Sequence, residues 1–181
     1  MAALSNEEWE RAEALLIRLC RVAPKSLQAH FNLGLLLRQR GDLDQARKVF
    51  EQTLVIEPGH KRTLMELGLI WAHSRQYDKS LDIFSKLAAI DPSDKAVRYY
   101  VGTLLIERGE PERALKHLKH APKNEASAYY RAKALIQLGR LHEALNDLRA
   151  LPRTVAMRVM TGQRRGTIFI DQRLYKDILV G

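Results

Sequence analysis

Apolar residues recur along the chain in short, evenly spaced blocks separated by polar turns. Over residues 27–40, His30, Leu33, Gly34 and Leu37 fall at i, i+3, i+4 and i+7, the spacing of one helical face. Arg40-Gly41-Asp42 breaks the pattern, because Gly41 suits a left-handed C-terminal position and Asp42 can cap the next helix. The pattern resumes over 43–56 with Ala46, Val49, Phe50, Thr53 and Leu54 on one stripe. It stops ahead of Pro58, since proline disfavours a helical residue before it. Two amphipathic helices joined by a tight turn are predicted.

The same unit returns. Leu33-Gly34, Leu67-Gly68 and Val101-Gly102 are spaced 34 residues apart. Ala12, Ala46, Ser80 and Ala114 keep that step, and Ala144 comes 30 residues later. Leu16, Phe50, Phe84, Leu118 and Leu148 form another column, and Pro24, Pro58, Pro92, Pro122 and Pro152 close each unit. Glycine weakens a helix, so its recurrence inside the first helix predicts close approach by a neighbouring helix. The repetition resembles that of the tetratricopeptide repeat family, which has Leu-Gly early in the first helix, a small residue and then an aromatic in the second, and a closing proline.

The resemblance covers residues 27–152 and implies an all-α, right-handed superhelix of about four helix pairs: 27–60, 61–94, 95–124 and 125–152. Residues 1–26 then read as an N-terminal half-repeat, and 153–181 as a C-terminal helix with a cap or tail. Ser5 with Glu8 has the spacing of a capping box, and Trp9 is expected to cover the open N-terminal end. Three departures stand out. Arg75 occupies the turn position of Gly41, Gly109 and Gly139; Arg131-Ala132 replaces Leu-Gly; and the last two repeats lose a turn of second helix.

In such a superhelix the first helices line the concave side. The stripe opposite their packed face carries Gln28, Phe31, Leu35 and Arg38, then Arg62, Met65, Leu69 and Ala72. It continues with Tyr99, Thr103 and Ile106, then Tyr129, Lys133 and Ile136. A contiguous apolar surface marks a binding site, so Phe31, Leu35, Arg38, Arg62, Met65, Leu69, Tyr99, Thr103, Tyr129 and Lys133 are the candidate groove residues. Some members of the family clamp a chaperone's C-terminal carboxylate with lysines and asparagines at these positions. The aliphatic and aromatic side chains here suit a hydrophobic peptide or an amphipathic helix instead.

Composition narrows the remaining classes. A chain of 181 residues, 46% hydrophobic and 28% charged, is ordinary for a globular protein. No apolar run approaches a membrane span, no secretory pattern opens the chain, and the single cysteine, Cys20, fits a reducing, cytoplasmic setting. The net charge of +9 is concentrated toward the end, where residues 153–181 carry six bases against two acids. That charge, with tyrosines able to stack bases, makes single-stranded RNA binding the alternative to a protein partner. The basic residues are nevertheless spread over both helices of each repeat, which argues against nucleic acid.

Candidate chemistry is sparse. His117 and His120 are spaced three apart but lack further ligands for a metal. Glu107, Glu110 and Glu112 surround the Gly109 turn and read as helix-capping charges. Cys20 reads as a packed thiol. No phosphate loop or nucleophile elbow occurs, so the expectation is a non-catalytic scaffold or chaperone-like adaptor without cofactor or small-molecule substrate. The terminal GTIFIDQRLYKDILVG is unusually apolar. Thr167–Ile170 favours an extended backbone, while Asp171 could cap a helix over 172–180 with Leu174, Tyr175, Ile178 and Leu179 on one face. It could cap the last repeat, lie in the groove, be disordered or mediate self-association.

Overall fold

A computed structural model describes residues 6–161. The predicted cap at Ser5 and the terminal segment from Gly162 onward lie outside the described residues. The helices are α1 (Asn6–Val22), α2 (Leu27–Arg40), α3 (Leu43–Ile56), α4 (Lys61–His73) and α5 (Tyr77–Ile90). After them come α6 (Lys95–Glu107), α7 (Pro111–Leu118), α8 (Glu125–Gln137), α9 (Leu141–Arg149) and α10 (Arg153–Thr161). Among the described residues there is no strand. Helices α2/α3, α4/α5, α6/α7 and α8/α9 form consecutive pairs, so the fold is all-α. The described residues pack as two compact units that divide between Pro92 and Ser93.

In the first unit, the glycine column lets aromatic rings enter between paired helices. A Cβ built on Gly34 would lie 2.5 Å from the Phe50 ring, and one on Gly68 would lie 2.8 Å from that of Phe84. Phe50 and Phe84 are consequently fully buried, as are Ala46 and Ser80 one turn earlier. Ser80 carries a hydroxyl in an alanine column and satisfies it by donating to the Gly68 carbonyl at 2.7 Å. Leu16, Ile17 and Cys20 of α1 pack against the cluster formed by Phe31, Leu33, Leu37 and Phe50. Burial raises the Cys20 thiol pKa, in keeping with a packed thiol.

The second unit repeats this packing with smaller parts. A Cβ on Gly102 would meet Leu118 at 2.5 Å. The second helices shorten from 14 residues in α3 and α5 to 8 in α7 and 9 in α9. Arg131 stands where the other repeats carry an aliphatic residue, and Asp147 of α9 answers it with contacts of 2.5–3.2 Å from two guanidinium nitrogens. The fourth pair thus replaces an apolar contact by a charged clip, while Ala132, Ala144 and Leu148 stay buried. Helix α10 packs on α8 and α9, burying Ala156 and Val159.

The connection inside each pair is one recurring turn. Gly41, Gly109 and Gly139 adopt φ of 93°, 79° and 70°, and Arg75 takes the same left-handed role at 57°. The next residue's N–H reaches back to the preceding helix: Asp42 to Leu37, Gln76 to Trp71, Glu110 to Leu105 and Arg140 to Leu135. These turns leave the second helices without side-chain caps, which corrects two expectations. Asp42 sits at the N-cap of α3 but gives its carboxylate to Arg40. Glu110 sits at the N-cap of α7 but pairs with Arg108 and Arg113, and Glu107 reaches Lys133. Ser26, Asp94 and Asn124 do accept from the backbone at the starts of the first helices α2, α6 and α8.

Candidate partner-binding faces

In the first unit the candidate residues sit on α2 and α4. The sequence stripe sets Phe31 on an open face, but the side chain is only 2% exposed. Its ring tilts against Phe50 at 5.9 Å, meets His60 edge-on at 5.2 Å, and lies under the Arg62 guanidinium at 4.6 Å. The exposed Arg62 therefore presents a cation where the sequence suggests an aromatic. Arg38 meets Glu66 at 3.0 Å, without the alignment of a hydrogen bond. Leu35, Met65 and Leu69 are half-buried. Leu69 and Arg38 line a depression of about 420 Å³ with Gly41, Leu43, Ile70 and His73.

In the second unit the corresponding face, on α6 and α8, is built from tyrosines. Tyr99 contacts Tyr100 at 5.2 Å and Tyr130 at 5.8 Å between ring centroids, and Tyr129 contacts Tyr130 at 5.0 Å. All three contacts are edge-to-face, with interplanar angles of 67°, 76° and 83°. This arrangement matches the positive edge of one ring to the negative face of the next. The result is a zigzag Tyr100–Tyr99–Tyr130–Tyr129 of half-buried rings. Thr103 turns its hydroxyl inward, donating to the Tyr100 carbonyl at 2.8 Å. Lys133 stands 5.9 Å over the Tyr130 ring and pairs with Glu107 at 2.6 Å.

Burial acts on the two central rings, Tyr99 and Tyr130. It pushes the Tyr99 pKa up to about 12, with help from Tyr130 and Tyr100, and it also raises that of Tyr130. The Tyr99 and Tyr130 phenols therefore remain neutral hydrogen-bond donors at ordinary pH.

Four residues that the sequence stripe omits are central here: Tyr100, Tyr130, Glu66 and Glu107. The first three belong to one column, Asn32, Glu66, Tyr100 and Tyr130, lying one residue beyond Phe31, Met65, Tyr99 and Tyr129. That repetition is the signal that locates them. Ile106 and Ile136, placed on the stripe from sequence, are buried instead.

His117 lies in the last turn of α7, which ends at Leu118, and His120 lies just beyond it. Burial, with Arg98, Arg113 and His120 nearby, lowers the His117 pKa. Among the described residues no group of three or more His, Cys, Asp or Glu could hold a metal ion. Among those residues, too, no helix is long and apolar enough to cross a membrane.

Comparison with known proteins agrees with the repeat geometry. The tetratricopeptide repeat model matches residues 1–61 and 39–95, and the model of anaphase-promoting complex, cyclosome, subunit 3 matches 73–151. No curated protein matches the chain significantly. Among solved structures, MamA (residues 41 to the end) from Desulfovibrio magneticus RS-1 is 18% identical, with TM-score 0.72, over 87% of this chain and 89% of that one. YrrB, described as a TPR protein with an unusual peptide-binding site, is 16% identical with TM-score 0.67, over 91% and 80%. A tetratricopeptide repeat protein from Parabacteroides merdae ATCC 43184 is 17% identical with TM-score 0.73, over 95% and 65%. By its repeat columns, its paired helices and the family model spanning its first 95 residues, the chain belongs to the tetratricopeptide repeat family.

Proposed function

We propose that the protein is a non-catalytic interaction scaffold that holds an apolar protein segment against the first-helix face of its second unit. The observation that carries this reading is the Tyr100–Tyr99–Tyr130–Tyr129 zigzag. Half-buried tyrosines offer large apolar area, lose little conformational entropy on binding, and keep a hydroxyl to orient a backbone. A hydrophobic peptide or one face of an amphipathic helix satisfies both features. On the first unit, Leu35, Met65 and Leu69 supply an apolar strip beside Arg62 and the Arg38–Glu66 pair. A peptide-binding site in YrrB is in keeping with this use of the fold.

The tyrosines also suit stacked bases, but Lys133, the cation over Tyr130, is paired with Glu107. A phosphate would have to break that pair, which favours a protein ligand. The test is selection of a peptide library on the full chain, repeated with Tyr99→Ser/Tyr130→Ser and accompanied by a gel shift with mixed RNA across a salt series. Apolar peptides enriched on the native chain and lost on the folded variant support the proposal. Equal enrichment on both, or an RNA shift that weakens steeply with salt and no peptide binding, overturns it.

A further inference from the structure

The tyrosine zigzag runs toward the end of the repeat array. Tyr99 of α6 reaches forward onto Tyr130 of the next first helix, α8. Tyr129 holds the repeat position of Tyr99 on α8 and packs against the cluster to which α10 contributes Ala156 and Val159. Helix α10 packs on α8 as α8 packs on α6, so it takes the place of the next first helix, and the chain leaves it at Thr161. It also covers the fourth pair by itself, since Ala156 and Val159 are buried. The described side chains of α10 that stay exposed, Arg153 and Thr154, are polar. The sequence beyond is apolar again: over 172–180, Leu174, Tyr175, Ile178 and Leu179 have the spacing of one helical face.

We infer that residues 172–180 occupy the tyrosine face of their own chain as an amphipathic helix laid across α6 and α8, a contact that rests on the proposed use of that face for apolar segments. Reach permits it. Residues 162–171 extend to about 33 Å, against about 20 Å for the two helix spacings from α10 to α6. A helix over 172–180 is about 14 Å long, enough to lie over two neighbours whose axes are about 10 Å apart. Its apolar stripe meets the half-buried rings, and Arg173, Lys176 and Asp177 fall on the opposite side, toward water. The tether supplies the rest. It holds the segment at an effective concentration on the order of 1 mM, so an intrinsic Kd of about 100 μM fills the face about nine-tenths of the time. An external segment must displace it, which lowers the apparent affinity of that partner about tenfold.

Photocrosslinking in the full chain tests this contact. Tyr100→p-benzoylphenylalanine puts the probe on α6, at the end of the zigzag farthest from α10, where a tail folded over the last pair does not touch it. The expected product has the monomer mass, with the link mapped by mass spectrometry to residues 166–181. A second measurement titrates a library-selected peptide into the full chain, into the chain shortened to Arg165, and into full-length Leu174→Ser/Ile178→Ser. Both changes should tighten binding about tenfold while leaving the helix content of the repeats unchanged. No link to 166–181, or a link found only at twice the monomer mass, overturns the inference, as does equal peptide affinity in all three chains. The crosslink needs no added peptide, so a library that yields no ligand counts against the proposed function alone.

Discussion

The α2/α4 face and the α6/α8 face occupy the same repeat positions and present different chemistry. On α2/α4, the aromatic Phe31 is drawn into the core and a cation, Arg62, lies over it. On α6/α8, the equivalent Tyr99 stays half-buried, with Tyr100 and Tyr130 packed edge-on against it. The difference begins in the adjacent column, where Asn32 and Glu66 give way to Tyr100 and Tyr130. Positions that build the helix pairs thus vary little along the chain, while positions that face outward change from one unit to the other. Under the proposed function, recognition and folding draw on separate columns.

The strongest way to break this separation is to attack a packing column in each unit. Phe50→Ala should cost about 3–5 kcal/mol and Leu118→Ala about 2–5 kcal/mol, read by chemical denaturation. If either left stability unchanged, the column would not hold its pair together. Gly34→Ala should cost about 1–3 kcal/mol, because the added Cβ meets the Phe50 ring inside a closed core. Ala132→Gly, in the pair that already accepts a Cβ, should cost only about 1 kcal/mol through helix propensity.

The outward face should answer to pH in place of denaturant. The folded pKa of Tyr99 is about 12, above the ordinary phenol value near 10, so the native state holds this proton longer than the unfolded state. Stability from the neutral phenol is complete below pH about 10 and falls as pH rises toward about 12. Tyr99→Phe should flatten that part of an alkaline unfolding curve, whereas Phe31→Tyr lies outside the array and should not. The smallest effect concerns the turns. Arg75→Gly should stabilise the first unit by about 1 kcal/mol, since it removes a left-handed non-glycine residue, and Gly109→Ala should destabilise the second by a similar amount.

Much of this architecture is legible in the sequence because it rests on single-residue sterics. A glycine that recurs opposite a large side chain announces close helix approach, and Gly34 with Phe50 shows it. The left-handed glycine turns are legible for the same reason, whereas Arg75 departs from the glycine pattern and its left-handed backbone is not announced by its own sterics. The faces are harder to read because they depend on pairs. Whether Phe31 is open depends on where His60 and Arg62 fold, and neither lies in its own helix. Tyr130 belongs with Tyr99 through an inter-helix contact that a one-helix stripe does not encode. The acidic residues at the turns look like caps, yet Asp42, Glu107 and Glu110 are taken by arginines and a lysine within reach.

The most direct test of the division between packing columns and recognition face is a calorimetric titration of a library-selected peptide into the native chain and into Tyr99→Ser/Tyr130→Ser, with thermal unfolding measured on both. The account predicts that affinity falls by about tenfold or more, as expected for loss of buried aromatic anchors, while the melting temperature moves by only a few degrees. Unchanged affinity in a folded variant, or an affinity loss that merely tracks a collapse in stability, would contradict it.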